Sequence, residues 1–232
     1  MTDLKRDRVS WLDGDMPFSD SFGDHFYSRR DGRAECGHVF LAGNGLPERW
    51  EAANRFTVGE LGFGTGLNFL ETWRLWRETR TNDGTLEFVS FEAFPMKADF
   101  IRRAIGSWPE LGGLLDLLLQ RWSELAVKPA AWRLDEQTSL RVVVGDALSG
   151  LGNWDGMADA WYLDGFAPAR NPDMWSAELM RAVARHTRPG GTFASYTAAG
   201  WVRRNLDAAG FDVEKAPGHG GKREMIRGRL AG

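Results

Sequence analysis

Four places in the 232-residue chain combine residue types that can bind or transfer a chemical group. The first, Thr57–Leu70, reads T-V-G-E-L-G-F-G-T-G-L-N-F-L, with an acid, Glu60, ahead of glycines at 62, 64 and 66. Glycine permits a tight turn and lets a ligand approach the backbone, and free N–H groups at a helix start favour an anionic or carboxylate-bearing ligand. The second and third are Glu92 and Asp146, each just past a run with strand character. Glu92 is suited to accept hydrogen bonds from ribose hydroxyls. Asp146 is suited either to accept from an adenine amino group or to cap a helix beginning at Ala147. The fourth, Tyr162–Trp175, reads Y-L-D-G-F-A-P-A-R-N-P-D-M-W. Asp164 is followed there by an aromatic and two proline-stiffened turns, more than a plain connector needs, and is the candidate to hold or deprotonate a nucleophile.

These residues require elements that end where they begin. Phe56–Leu61 reads as a strand, and Leu67, Leu70, Trp73 and Trp76 form the apolar ladder of a helix that packs on a sheet. Leu86–Phe91 is a strand ending in Glu92. Helices follow from Pro95 through Ile105 and over Leu111–Leu119, the latter continuing with Trp122 and Leu125. Trp132–Leu134 and Leu140–Val144 read as two strands around a turn, and Ala158–Leu163 as a strand ended by Asp164-Gly165. Asn171-Pro172 opens a helix that Arg188-Pro189-Gly190-Gly191 stops. A strand over Thr192–Tyr196, a helix over Trp201–Ala209 and strands over Phe211–Glu214 and Lys222–Leu230, joined by the turn Gly218–Gly221, close the chain. At the other end, residues 1–30 are polar, aromatic and turn-rich, His38–Leu41 reads as a short strand, and Gly43-Asn44-Gly45 as a turn. A layer of hairpins leading into the main fold is expected there.

Alternating strands and helices predict a parallel α/β sheet covered on both faces, with an antiparallel hairpin as its last pair. In such sheets ligands sit outside the carboxyl ends of the strands. That rule gathers Gly62–Gly66, Glu92, Asp146 and Asp164 into one ring. The glycine spacing is G-x-G-x-G rather than G-x-G-x-x-G, and no G-x-x-x-x-G-K-[ST] occurs.

Composition narrows the class. With 43% apolar and 26% charged residues, the chain is a globular protein of one expected domain, residues 1–232. No apolar run approaches the roughly 20 residues that span a bilayer, and the N-terminus lacks a signal-peptide core, so a cytoplasmic location is expected. The single cysteine, Cys36, and four scattered histidines predict no metal site. A net charge of −3 opposes coating of nucleic acid by bulk charge, while leaving local basic patches open. Basic candidates are Arg29, Arg30, Arg33, Arg203, Arg204, Lys222, Arg223, Arg227 and Arg229. The eleven tryptophans predict a large aromatic core.

The glycine turn with its preceding acid resembles motif I of Rossmann-like S-adenosylmethionine methyltransferases, and the antiparallel last strand is a mark of that fold. E-L-G-F-G-T-G-L-N-F-L, S-F-E-A-F-P, L-D-G-F-A-P-A-R-N-P-D-M-W, F-L-A-G-N-G-L-P-E-R-W and the terminal G-K-R-E-M together resemble one family. It is the tRNA 5-aminomethyl-2-thiouridine methyltransferase family, the methyltransferase domain of MnmC or its stand-alone form, MnmD. The resemblance runs from about Trp11 to Leu230. It implies a class I fold with a seven-stranded, mostly parallel sheet over residues 56–230 and a small extension over 1–55. It implies S-adenosyl-L-methionine as cofactor, held by Glu60, Gly62, Gly64, Gly66, Asn68, Glu92, Asp146 and Asn44. Asp164 becomes the catalytic residue, with Phe166, Trp175 and Arg223 toward the substrate. The implied substrate is the aminomethyl group of a wobble uridine in the tRNA anticodon loop. An FAD-dependent oxidase, fused or separate, is the implied partner; no room for it follows Gly232, which leaves a stand-alone enzyme or a fragment. The alternatives are a methyltransferase for a small amine or protein, and a non-catalytic module that binds the cofactor or RNA.

Overall fold

The computed structural model describes residues 7–28, 31–126, 130–221 and 223–232. A three-stranded antiparallel meander comes first: β1 (Val9–Leu12), β2 (Met16–Ser19) and β3 (Asp24–His25). A short helix α1 (Gly32–Glu35) then runs into a wider helical turn, Cys36–Leu41, and a tight one, Ala42–Asn44. The expected strand at His38–Leu41 is therefore helical. Asp31 caps its start, accepting from the Ala34 N–H at 3.0 Å, and Cys36, Val39 and Phe40 fall on one buried face at helical spacing.

The main sheet is built from β4 (Arg55–Leu61), β5 (Thr85–Glu92), β6 (Ala130–Arg133), β7 (Thr138–Val144), β8 (Ala158–Leu163), β9 (Thr187–Ser195), β10 (Phe211–Pro217) and β11 (Glu224–Leu230). Between them lie α2 (Leu67–Thr79), α3 (Ala98–Ile105), α4 (Gly112–Trp122), α5 (Ala147–Gly152), α6 (Ala177–Arg185) and α7 (Gly200–Ala208). The strand order is β10-β11-β9-β8-β4-β5-β7-β6. The β4–β5, β5–β7, β4–β8 and β8–β9 pairs are parallel, and β11 is antiparallel to both neighbours. The sheet has eight strands, one more than the seven of the implied fold, because β6 folds back antiparallel on β7 at the edge.

Strand alternation divides the core. Phe56 and Val58 of β4, with Ala160 and Tyr162 of β8, meet α2, α3 and α4; Leu61, Trp161 and Leu163 meet α5, α6 and α7. Glu60 therefore points toward α2, where helix geometry brings Asn68 and Thr72 against the sheet. Most of the tryptophans are buried, and Trp50, Trp73, Trp76, Trp161 and Trp175 are among the largest fully enclosed side chains. Gly59 is required by one of them: a Cβ there would stand 2.6 Å from the Trp161 ring.

Three further boundaries differ from expectation. α3 begins at Ala98, after the extended Lys97, rather than at Pro95. The cap of α6 is Ser176, accepting from the Leu179 N–H at 3.2 Å, while Asn171 makes no cap bond. Arg188–Gly191 lies within β9. The register shifts there, Ala158 opposing Thr187 and Ala160 opposing Thr192, so the segment bulges and Pro189 is accommodated. Among the described residues no helix is long and apolar enough to cross a membrane.

Gly59→Ala should lower stability by about 1–3 kcal/mol through overpacking against Trp161. Gly113→Ala, in α4 with open space at its Cβ position, should instead raise stability by about 0.5–1 kcal/mol. Urea unfolding of the two variants checks the pair, and equal effects would contradict the packing read at Gly59.

Candidate active site

The chain crosses from β4 to β5 on one side and returns to β8 on the other, which places the switch point of the sheet at the carboxyl ends of β4 and β8. Register fixes what meets there. Leu61 lies opposite both Phe91 and Leu163, and Glu92 opposite Val144, so Gly62, Glu92, Gly145 and Asp164 leave the sheet along one edge. A cavity of about 400 Å³ opens over that edge, with Gly62, Gly64, Asn68, Glu92, Asp164 and Phe166 in its lining.

Gly62, Gly64 and Gly66 all have positive φ, at 86°, 54° and 76°, so the turn cannot be made without strain by other residues. Gly66 is the N-cap of α2 and has no side chain to cap it, and Thr65 and Leu67 beside it line the cavity. Glu60 lies beneath, fully buried, accepting from Ser90 Oγ at 2.7 Å and Asn68 Nδ2 at 3.1 Å. The same Asn68 nitrogen donates to Asp164 Oδ2 at 2.9 Å, and the Gly165 N–H donates to Asp164 Oδ1 at 2.8 Å. One amide thus fixes both carboxyl groups. Burial pushes the Glu60 carboxyl up to about 8, with the nearby Asp164 and Glu92 adding and its hydrogen bonds opposing.

Glu92 accepts from the Gly64 N–H at 2.9 Å and the Phe94 N–H at 2.7 Å, so it also braces the glycine turn. Burial raises its pKa, backbone hydrogen bonds oppose that, and Asp7 adds a smaller upward push. Both oxygens of Asp7 are buried without a hydrogen-bond partner among the described residues, and Asp7 lines the same cavity. A buried carboxylate so placed calls for a donor-bearing ligand.

Several expected residues lie elsewhere. Asp146 is exposed and accepts from Ser149 N and Ser149 Oγ, both at 2.8 Å; it caps α5, and only its neighbours Gly145 and Ala147 reach the cavity. Asn44 is buried behind the sheet, donating to Phe40 O at 2.9 Å and Trp161 O at 3.2 Å and accepting from Thr192 Oγ1 at 2.6 Å. Its polar atoms are committed to holding the helical turn against β8 and β9. Trp175 is fully buried, and its Nε1 donates to Phe166 O at 3.0 Å, so it props the loop rather than lining the cavity. Gly66 and Glu60 act from behind the lining. Arg223 is exposed beside the turn Gly218–Gly221, whose Gly220 borders Ser28 at the cavity wall. Arg29, Arg30 and Lys222 fall outside the described residues.

The structure adds residues that strand-end reasoning passed over. Phe166 stacks on Phe22 at 4.6 Å and meets Phe26 edge-on at 5.2 Å, and Asp24 Oδ2 accepts from the Ala167 N–H at 2.8 Å. The N-terminal meander is thereby strapped over the loop after β8. Tyr196, just past β9, donates to Gly165 O at 2.8 Å, and burial raises its pKa further than Asp164, Asp24 and Glu35 do. The strand-end rule, applied to β9, finds it. Asp7, Phe22, Asp24 and Glu35 carry no comparable local signal. Cys36 also lines the cavity; burial above all, aided by Glu71 and Glu60, raises its pKa and keeps it a thiol. Among the described residues no group of three or more histidine, cysteine, aspartate or glutamate side chains could hold a metal ion.

These donor and acceptor sets fit S-adenosyl-L-methionine. The glycine turn admits a close ligand, Glu92 and the orphaned Asp7 accept from hydroxyl or amino groups, and an acid-lined cavity suits a cation. A sequence model of an S-adenosyl-L-methionine-dependent methyltransferase family matches residues 109–231. The chain is 43% identical over 237 residues to the tRNA 5-methylaminomethyl-2-thiouridine biosynthesis bifunctional protein MnmC of Chromohalobacter salexigens, covering 100% of this chain and 34% of that protein. It is 44% identical over 238 residues to the protein of that name from Pseudomonas aeruginosa, covering 100% and 36%. The chain spans about a third of the length of these relatives. Among solved structures it resembles MnmC2 of Aquifex aeolicus, with a TM-score of 0.75 and 22% identity, over 100% of this chain and 73% of that one, a likeness of fold.

Two outcomes test the site as built. The native state holds a proton on Glu60 up to about pH 8 that the unfolded chain releases near its ordinary 4.5. Stability of the ligand-free protein should therefore fall as pH rises through that window, and Glu60→Gln should flatten the slope in thermal unfolding from pH 4.5 to 9. Asp146→Ala should cost about 1 kcal/mol in urea unfolding, as a lost cap, while cofactor affinity by calorimetry stays within twofold.

Proposed function

The chain belongs to the S-adenosyl-L-methionine-dependent methyltransferases, and we propose that it methylates the 5-aminomethyl nitrogen of a (2-thio)uridine at the tRNA wobble position. The product would be 5-methylaminomethyl-(2-thio)uridine, the nucleoside in the names of its MnmC relatives. The observation that carries the reading is Asp164, a carboxylate fixed by one donor on each oxygen and facing the cavity beside the glycine turn. An acceptor so held suits an amine. It can take one N–H of the nucleophile and aim the lone pair.

When bound, the cofactor supplies a methyl group on a sulfonium, and the amine lone pair forms the new N–C bond as the C–S pair returns to sulfur. The protein's part is positioning and exclusion of water. Glu92 and Asp7 would hold polar groups of the cofactor, and the Gly62–Gly66 turn would let it approach the backbone. Phe22, Phe26 and Phe166 form an aromatic wall that excludes water and offers a face for the uracil ring. Trp175 and Tyr196 hold the Gly165–Phe166 backbone behind that wall.

The tRNA would lie across the carboxyl edge. Arg203 and Arg223 both act on Glu224 there, and Arg204 shares the first half of α7. The other basic candidates serve less well. Arg33 is paired with Glu71 and Glu110, Arg227 with Glu214, and Arg229 lies opposite Thr192, toward the far edge of the sheet. A flavin-dependent oxidase, separate or fused, would be the enzyme's partner.

Labelled methyl transfer to tRNA bearing 5-aminomethyl-2-thiouridine, followed by nucleoside analysis, tests the function. Label in 5-methylaminomethyl-2-thiouridine is expected; label only in a small amine or a protein would favour the alternative substrates, and none anywhere a binding module. In the same assay Asp164→Asn should reduce turnover about 100-fold or more, the scale of a lost acid–base or orienting group, with cofactor affinity within a few-fold of wild type. Unchanged turnover would remove Asp164 from the mechanism.

A further inference from the structure

Among the described residues five acids line the cavity, Asp7, Asp24, Glu35, Glu92 and Asp164; the reaction above gives Asp7 and Glu92 to the cofactor and Asp164 to the amine. Asp24 is committed to the backbone, accepting from the Ala167 N–H and from its neighbour His25 at 2.9 Å. Asp164 accepts one donor on each oxygen. Glu35 reaches the cavity from a different element, as the last residue of α1, with its side chain buried and Oε2 accepting from the Ser28 N–H at 3.1 Å. Glu35 is the chain neighbour of Cys36, the Tyr196 hydroxyl donates at 2.8 Å to the carbonyl of Gly165, the residue after Asp164, and all four side chains line the cavity. Two carboxylates from α1 and from the end of β8 thus bear on one buried volume.

That pairing answers a chemical requirement left open by a single orienting carboxylate. A primary amine arrives from water largely as an ammonium, which has no lone pair, and a carboxylate beside it favours the charged form. We propose that Glu35 is the second carboxylate in contact with the substrate amine and takes its proton, leaving Asp164 to orient the neutral nitrogen. An N–H bond breaks with its electron pair retained on nitrogen, and an O–H bond forms on Glu35. The group formed by the amine, Glu35 and Asp164 then comprises a neutral amine, a carboxylic acid and one carboxylate where it comprised a cation and two carboxylates. Its net charge is unchanged, so the step adds no uncompensated charge in a place where one is costly. After methyl transfer the proton leaves to solvent with the product. Among the described residues the titratable and charged groups around Glu35 include Asp24, Asp164, Cys36, Tyr196 and, beside Cys36, Glu60 and the Arg33–Glu71 pair. The assignment rests on the amine methylation proposed above.

The test compares wild type, Glu35→Gln and Glu35→Asp in single-turnover methylation of aminomethyl-uridine tRNA from pH 6 to 10. Cofactor and tRNA affinities are measured by calorimetry, and folding by thermal unfolding. Glu35→Gln should lose about tenfold or more at pH 7 and recover toward wild type near pH 10, where the amine arrives already neutral, with both affinities within about twofold. Glu35→Asp should be slower than wild type but keep its pH profile. A Glu35→Gln rate equal to wild type throughout would overturn the assignment, as would a loss that is the same at every pH. If Glu35→Gln does not fold, Glu35→Asp decides: a slowed rate with the wild-type profile supports the assignment, and an unchanged rate overturns it. A wild-type protein that binds cofactor but leaves this tRNA unmethylated would overturn the amine reading and this assignment with it. An active wild type beside an unaffected Glu35→Gln removes the assignment alone.

Discussion

Asn68 donates from a single amide nitrogen to Glu60 beneath the glycine turn and to Asp164 at the end of the neighbouring strand. An amide with two hydrogens can satisfy two carboxyl groups at once, which a hydroxyl or a backbone N–H cannot. The bond to Asp164 depends on α2 entering at one angle, and that angle depends on a turn with positive φ at three glycines. Glu60 in turn is held by Ser90 from β5. Three adjacent strands, β8, β4 and β5, are thereby tied to one helix start. Burial favours the uncharged form of Glu60, which lets a carboxyl group sit in the core without a cationic partner. The glycine turn and the candidate catalytic carboxylate are consequently tied into one unit, the condition under which positioning can supply a large share of a rate.

The second structural dependence is between the main sheet and the N-terminal meander. The sheet supplies the floor of the cavity and the meander supplies much of its wall, through the hydrogen bond from Ala167 to Asp24 and the packing of Phe22 and Phe26 on Phe166. The meander is anchored on its other side by Arg103, which pairs with Asp15 and lies 4.2 Å over the Trp11 ring. The aromatic side chains give the wall an apolar face, and Asp7, Glu35, Glu92 and Asp164 bring polar groups to the lining. Apolar walls with a few convergent polar groups are what a small-molecule site requires.

The parts of this site that were legible in the sequence are those governed by local pattern. Period-two burial and the glycine turn locate the end of β4, and the same logic locates Glu92 and Asp164, because a strand end is a local event. Phe166 followed from its place beside Asp164. Asn44, Trp175 and Asp146 sit in equally conspicuous motifs, yet their side chains serve the sheet, the loop and a helix cap. A motif records that a residue type is needed and does not say which way its side chain points. Asp7, Asp24 and Glu35 come from the opposite end of the chain, and only tertiary packing brings them to the cavity. His38–Leu41 is helical rather than extended for a related reason: a short apolar run has no period of its own, and the cap at Asp31 with burial of Cys36, Val39 and Phe40 decides for helix.

In the proposed enzyme, one cavity at the carboxyl edge of the sheet would hold the cofactor between the glycine turn and Glu92, with its sulfur end toward Asp164. A crystal structure with S-adenosylhomocysteine tests this most directly. Ribose or adenine donors are expected within hydrogen-bond distance of Glu92 and Asp7, with the sulfur on the side of the cavity shared by Asp164 and Phe166. A ligand bound elsewhere on the molecule, or seated in this cavity with its sulfur directed away from Asp164, would contradict it.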